Sequence, residues 1–480
     1  MRKDKLLFAT LPFLAILLDV SFNLASQLGD SPTIICLFLA AWMVSWWILD
    51  VLPLGITALI PLFYLPMSQI SSINEVSVSY ASPVIFLFLG GFVIARALEK
   101  TGLDERIALS ILFITGRSDK GIVTGFVIGT AGLSMWISNT ATAVMMVPIA
   151  FSVTQFLRDN LEGTSLKTLP AMQVVLFLSI AYAANIGGIM TPIGTPPNVV
   201  FMGYLEEMYG RNIDFWLWFV AMAPVALLLL TTMIWVLRKL YPFDVPVPTT
   251  FHSFIKERLK VQGPLRGDQK ITVFVFALAA SLWIFKGLIN YLLRFDFLND
   301  TSIAILAGVL LFLIPHSIYG WQPVLDKKDI SYLPWDIVLL FGGGMALAGS
   351  LEKVGLIEKT TQFFSTLDLS SPFFLVLAIA SLSILMTEIM SNVAFCVVAL
   401  PMIMKLGESQ GIDPILIALP ATICASFAFC MPVSTPPNAV VFGTNTISVQ
   451  QMLKAGVFLN TIAVALTMSL GYILIKVLLV

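Results

Sequence analysis

Ser134-Met135-Trp136-Ile137-Ser138-Asn139-Thr140-Ala141-Thr142 and Thr387-Glu388-Ile389-Met390-Ser391-Asn392-Val393-Ala394-Phe395 are one motif met twice. A second polar stretch follows each copy: Thr191-Pro192-Ile193-Gly194-Thr195-Pro196-Pro197-Asn198 after the first, Met431-Pro432-Val433-Ser434-Thr435-Pro436-Pro437-Asn438 after the second. All four lie in long apolar runs, where hydroxyls, amides and helix breakers are costly unless they line a site shielded from lipid.

Composition names the solvent. Of 480 residues 58% are hydrophobic and 11% charged, and the mean hydropathy is +0.93. A soluble domain carries about 25% charged residues, so the chain reads as an all-α polytopic membrane protein, with lipid as one partner. The net charge of -1 gives no ground for a nucleic-acid partner. Cys36, Cys396, Cys424 and Cys430 lie in apolar stretches without metal-ligand spacing. His252 and His316, both read as loop residues, are too far apart to suggest a histidine centre. With no His-Glu-x-x-His helix or Gly-x-Ser-x-Gly elbow, an enzyme is not expected, nor an organic cofactor.

Runs of about 20 apolar residues can cross a bilayer. Eleven such helices are expected at 6–28, 33–51, 53–67, 83–100, 171–206, 215–239, 270–293, 301–317, 334–352, 414–447 and 456–479. The runs 120–158 and 372–406 are too long for one crossing, and each is interrupted by Ser-Asn at its middle. They read as re-entrant hairpins with their tips near the midplane. Two consecutive prolines remove two amide donors and push Thr195 or Thr435 out of helical geometry. The spans 171–206 and 414–447 are therefore expected to break in mid-membrane. Carbonyls freed before each break suit a cation, and the helix N-terminus beyond it suits an anion.

Arg238, Lys239, Lys256, Arg258, Lys260, Arg266 and Lys270 make 238–270 the most basic connection, which places it in the cytoplasm. The N-terminal Arg2, Lys3 and Lys5 lie an even number of crossings away and share that side. The C-terminus is then external, in a plasma (inner) membrane. Leu98-Glu99-Lys100-Thr101-Gly102-Leu103 matches Leu351-Glu352-Lys353-Val354-Gly355-Leu356 at an offset of 253, which also carries Ser138-Asn139 onto Ser391-Asn392 and Pro148 onto Pro401. Five crossings separate the copies, which makes an inverted-topology repeat of the kind that binds substrate at the midplane. The expected parts are a peripheral helix in 1–30, a first repeat in 31–240, a cytoplasmic connector in 241–269 and a second repeat in 270–480. Trp42, Trp46, Trp47, Trp216, Trp218 and Trp335, near span ends, read as an aromatic belt. Glu388, where the first copy has Met135, reads as a hydrogen-bonding brace for its hairpin rather than a proton relay.

With its doubled Ser-Asn tips and Thr-Pro-Pro-Asn segments, nearly the whole chain resembles the divalent anion/sodium symporter family. The resemblance implies a homodimer of inverted repeats, with a scaffold and an elevator-type transport domain that carries dicarboxylates, tricarboxylates or sulfate with sodium. It further implies that Asn139 and Thr140 contact one substrate carboxylate and Asn392 another, with Thr195, Val393, Thr435 and Pro436 lining the same pocket. One sodium site would use Ser134, Ser138, Asn139 and a carbonyl near Gly194. The other would use Thr387, Asn392 and carbonyls near Met390 and Ser434. Sodium-coupled symport of C4 dicarboxylates is the reading expected, with exchange of dicarboxylates or carriage of sulfate or citrate as alternatives. Val393 departs from Thr140 by lacking a hydroxyl, a loss of about 0.5 to 1.5 kcal/mol per hydrogen bond.

Overall fold

Every backbone amide and carbonyl within a hydrocarbon layer needs a partner from the chain itself. In the computed structural model, which describes residues 31–49, 51–162, 164–295, 298–316, 321–356 and 371–480, helices meet that demand, and the described residues contain no strand. The expected helix at 6–28 and the segment 1–30 lie outside the described residues. Among those described, seven helices are long and apolar enough to cross a membrane. The number is eight if Ile73–Ser79 and Pro83–Thr101, bent by 43° at their junction, count as one span.

Each run read as a hairpin is a pair of helices joined by a short turn. The first pair is Asp119–Ser134 and Asn139–Asn160; the second is Pro372–Thr387 and Asn392–Ser409. Each span read as broken is also two helices: Thr164–Gly188 with Pro196–Tyr209, and Pro414–Ala425 with Pro436–Phe442. Thr195 and Thr435, in extended backbone, precede the helices beyond the breaks. Proline begins both of these helices, at positions whose amides would have no helical partner anyway.

Each hairpin packs along its own broken span: Asp119–Ser134 on Thr164–Gly188, and Pro372–Thr387 on Pro414–Ala425. Beyond the breaks the two halves of the chain exchange partners. Pro196–Tyr209 packs on Asn392–Ser409 and Pro414–Ala425, while Pro436–Phe442 packs on Asn139–Asn160 and Thr164–Gly188. Glycine makes the closest of these approaches possible. A Cβ on Gly187 would lie 2.4 Å from the Ala131 carbonyl oxygen, a backbone atom that cannot yield.

Ion pairs join helix ends on both sides. At one end Asp329 receives Lys100 at 2.5 Å and Arg96 at 3.1 Å, and Arg238 pairs with Asp119 at 3.6 Å. At the other end Arg211 meets Asp413 at 2.7 Å and Lys353 meets Glu75 at 2.9 Å. The connector is more ordered than its polarity suggests, because Phe251–Val261 forms a helix that buries Phe251 and Ile255, one turn apart. Arg258 from this helix donates to Ser152 Oγ at 2.7 Å and so ties the connector to the first hairpin.

Four expectations need correction. His252 lies on the connector helix rather than in a loop, its ring centroid 3.9 Å from that of Phe113. A helix at Leu103–Thr115 was not expected. The expected span 53–67 is helical in two pieces, Leu54–Thr57 and Ile60–Met67, the second opening with Pro61, which has no amide to continue the first. Trp42, Trp46, Trp47 and Trp218 are core residues, each 5% exposed or less. Neighbouring helices cover them: Trp42 packs edge-on against Trp46 and Tyr64, with centroids 5.4 and 5.9 Å apart. Of the six belt candidates, Trp216 and Trp335 are exposed.

Gly187→Ala is expected to lower the thermal midpoint of the detergent-solubilised protein by an amount equivalent to about 1–3 kcal/mol of overpacking. Gly132→Ala on the adjoining hairpin helix, where an added Cβ meets nothing within 4 Å, is expected to leave the midpoint unchanged or raise it. Equal midpoints for the two variants would refute the close-approach argument.

Candidate cation and anion site

The first hairpin turns at Met135–Ile137. Ser138 caps the second arm by accepting from the Ala141 amide at 3.2 Å. Across this turn, Ser134 Oγ lies 2.6 Å from Asn139 Oδ1 and 2.7 Å from the Ala184 carbonyl. The same end of the Asn139 amide lies 3.2 Å from the Ala184 carbonyl and 3.3 Å from that of Gly194. The four oxygens have one hydroxyl hydrogen between them. Two arrangements relieve this crowding, and only partners distinguish the two ends of an amide. With Nδ2 turned inward, the two hydrogens of the Asn139 amide are shared among the three neighbours. With Oδ1 inward, Nδ2 faces Asn185 Oδ1 at 3.5 Å, and the inward oxygens form the neutral set that a hard cation takes. Gly188 keeps the cluster compact, since a Cβ there would sit 2.7 Å from Asn139 Oδ1.

Each break needs its own closure, and the two are closed alike. Asn198 Nδ2 donates to the carbonyls of Gly188 at 3.2 Å and Thr191 at 2.9 Å. Asn438 Nδ2 donates to those of Ala428 at 2.8 Å and Met431 at 3.1 Å, every partner displaced by 240 residues. Trp218 Nε1 adds a bond to the Ile189 carbonyl at 3.0 Å, which is why this indole is buried.

The ties from tip to break differ in polarity. In the first half Thr191 Oγ1 donates to the Met135 carbonyl at 2.5 Å. In the second half Glu388 accepts from the amides of Cys430 and Met431, at 2.9 and 3.1 Å, and from Asn460 Nδ2 at 2.7 Å. Three donors on one carboxylate hold it as a brace between the tip and the break.

The second tip is built from matching residues but bonded differently. Thr387 keeps its hydroxyl on its own helix, with Ser383 O at 3.0 Å and Ile384 O at 3.2 Å. Back-bonding of this kind is common for a threonine inside a helix. Ser434 Oγ donates to the Met431 carbonyl at 2.7 Å. Asn392 Oδ1 is buried with no protein partner, and Met390, Ser391 and Val393 beside it are half-buried. Thr387, Asn392 and Ser434 thus share no bond of the kind that joins Ser134 to Asn139.

Thr195 and Thr435 are both buried at 4% exposure, Thr140 is half-buried on the first tip, and Pro436 is exposed. Two side chains of one helix join the halves here: Asn185 Nδ2 donates to Thr435 Oγ1 at 3.1 Å, and the Tyr182 hydroxyl donates to the Phe429 carbonyl at 2.8 Å. Asn185, Asn460 and Trp136 escaped the sequence reading. The first two are amides within apolar runs, a signal that could have exposed them. Trp136 carries the first tip onto an aromatic stack, with centroids 4.6 Å from Phe276 and 5.7 Å from Phe215.

Residues 4–480 match a family described as the sodium:sulfate symporter transmembrane region. A sodium-dependent dicarboxylate transporter, SdcS, of Staphylococcus saprophyticus is 33% identical over 469 residues, covering 97% of this chain and 90% of that protein. SdcS of Staphylococcus aureus strain MRSA252 is 33% identical over 450 residues, covering 92% and 86%. Among solved structures, the YdaH transporter of Alcanivorax borkumensis has a TM-score of 0.52 at 15% identity, over 93% of this chain and 98% of that one. At that identity the likeness concerns the fold.

Glu388→Ala leaves the buried amide of Cys430 without its acceptor and removes that of the Met431 amide. The expected cost is about 1–3 kcal/mol for the buried group, read as a lowered thermal midpoint in detergent. A midpoint within error of the parent protein would show that the brace is dispensable.

Proposed function

This chain belongs to the sodium:sulfate symporter family, as an integral membrane transporter and not an enzyme, and from that premise we propose that it carries C4 dicarboxylates such as succinate, malate and fumarate in symport with sodium. The observation that carries the reading is the convergence of Ser134 Oγ and the carbonyls of Ala184 and Gly194 on one end of the Asn139 amide, which with Oδ1 turned inward is a set of four neutral oxygens. A sodium ion satisfies all four at once, with Ser138 holding the turn beside them. In the second half, the unspent oxygen of Asn392 is the ligand on offer. Thr387 and the carbonyls near Met390 and Ser434 join it once Thr387 turns away from its own helix.

The anion is met by neutral donors. Neither tip nor either Pro-Pro segment contains a lysine or arginine, so the positive charge that makes a dianion welcome comes from bound sodium. Thr140 and the Asn139 amide meet one carboxylate and Asn392 the other. Thr195, Val393, Thr435 and Pro436 form the surrounding wall. Dicarboxylate is preferred over sulfate or citrate because the relatives of highest similarity described above carry that substrate in their names.

The exchange of partners beyond the two breaks suits an inverted repeat, in which hairpins and broken spans travel together against a scaffold in an elevator-type motion. The scaffold would be the dimerising part of a homodimer in the plasma membrane. The N-terminus lies in the cytoplasm with the basic connector, and the C-terminus lies outside.

Purified protein in proteoliposomes is expected to take up labelled succinate saturably under an inward sodium gradient and not under a potassium gradient. Asn139→Ala, if it retains the parent thermal midpoint, is expected to abolish that uptake. Uptake that ignores sodium and requires a dicarboxylate inside the vesicle would identify an exchanger and overturn symport.

A further inference from the structure

Sodium-dependent anion binding needs a physical link between the cation cluster and the groups that meet the anion. We propose that Asn185 is that link, a positioning residue whose side-chain amide reads the orientation of Asn139 and sets which part of the Thr435 hydroxyl faces the substrate. The proposal deepens the symport reading and rests on it.

Asn185 is 1% exposed and follows Ala184, whose carbonyl belongs to the cluster. Its Oδ1 lies 3.5 Å from Asn139 Nδ2, and its Nδ2 lies 3.1 Å from Thr435 Oγ1. Thr435 Oγ1 also accepts from the Asn438 amide, at 3.4 Å, where it caps the helix beyond the second break. Three polar side chains therefore run in line from the first tip to the opposite repeat, through a packed interior where each must find its partner among the others.

An amide has hydrogens at one end and lone pairs at the other, and a hydroxyl has one hydrogen. A cation in the cluster draws Asn139 Oδ1 towards itself and leaves Nδ2 to donate to Asn185 Oδ1. Asn185 then donates to Thr435 Oγ1, and with the Asn438 amide it takes up the lone pairs of the hydroxyl. The hydroxyl hydrogen is left to bond a carboxylate. In the absence of the cation the same chain runs in reverse. Asn139 turns its nitrogen inward to Ser134 Oγ and the carbonyls of Ala184 and Gly194, and its oxygen faces Asn185. Two amide oxygens repel, so Asn185 turns as well and presents its own oxygen to Thr435. That oxygen takes the hydroxyl hydrogen, and the anion meets lone pairs instead of a donor.

At the 240-residue offset, the counterpart of Asn185 is Ala425. The relay thus exists in one half, and only the first cation cluster communicates through it.

The test uses the full chain in detergent and reads the sodium concentration that gives half-maximal thermal stabilisation, with and without saturating succinate. Linkage makes the shift between the two a measure of coupling. In the parent protein succinate lowers the midpoint concentration. In Asn185→Ala the midpoint without succinate is expected to stay within about twofold of the parent value, while the succinate-induced shift shrinks by about fivefold, the scale of one neutral hydrogen bond. Thr435→Val is expected to shrink the shift to the same extent, Thr435→Ser to retain it, and Asn185→Ala with Thr435→Val to do no worse than either alone.

An undiminished shift in Asn185→Ala overturns the relay, and so do additive losses in the double variant. Should Asn185→Ala fail to fold, the contrast between Thr435→Val and Thr435→Ser decides the matter: a retained shift in both overturns the relay. A parent protein whose sodium midpoint ignores succinate overturns the symport reading itself, and the relay falls with it.

Discussion

Helices that stop in the middle of a membrane leave carbonyls and amides that lipid cannot satisfy. Two matching asparagines take up part of that load. Asn198 closes the first break by donating to Gly188 and Thr191, and Asn438 closes the second through Ala428 and Met431. Each side chain replaces bonds that a continuous helix would have supplied itself. With the breaks held in this way, the carbonyls of Ala184 and Gly194 are free to converge on the first hairpin tip. The gathering of polar groups at the first tip is thus tied to how the first break is closed.

The two halves share this closure and differ in almost everything attached to it. A threonine hydroxyl ties the first break to its tip, donating to the Met135 carbonyl. A carboxylate does so in the second, accepting two backbone amides and Asn460. The second tie gathers three donors on one carboxylate, where the first is a single hydroxyl bond. Ser134 is drawn into the oxygen cluster, whereas its counterpart Thr387 bonds its own helix. Val393 removes a hydroxyl that Thr140 keeps. The first tip therefore gathers its polar groups into one cluster, and the second leaves them on separate partners.

Communication between such unequal halves requires contact, and the packing provides it. The helices beyond the breaks cross to the opposite half, so Thr435 arrives beside Asn185 although 250 residues separate them. Glycine permits these approaches: Gly187 lets the first hairpin lie against its broken span, and Gly188 leaves room for the Asn139 amide. A methyl group would lie 2.4 Å from the Ala131 carbonyl oxygen at Gly187 and 2.7 Å from Asn139 Oδ1 at Gly188, so a neighbour would have to move.

Local rules act on neighbours in the chain, and they made much of this architecture legible. Proline pairs mark where a helix must stop, serine before asparagine marks where one begins, and polar residues inside apolar runs mark what must be shielded. From these came the two hairpins, the two broken spans and most of the residues at the first tip. The tertiary structure alone decided which partner each polar group finds. No local rule says that Asn185 reaches Thr435, that Glu388 braces Cys430 and Met431, or that Trp218 closes a break instead of standing at an interface. These pairings depend on how helices far apart in sequence come to lie side by side, and hydrogen bonds reach about 3 Å whatever the separation along the chain.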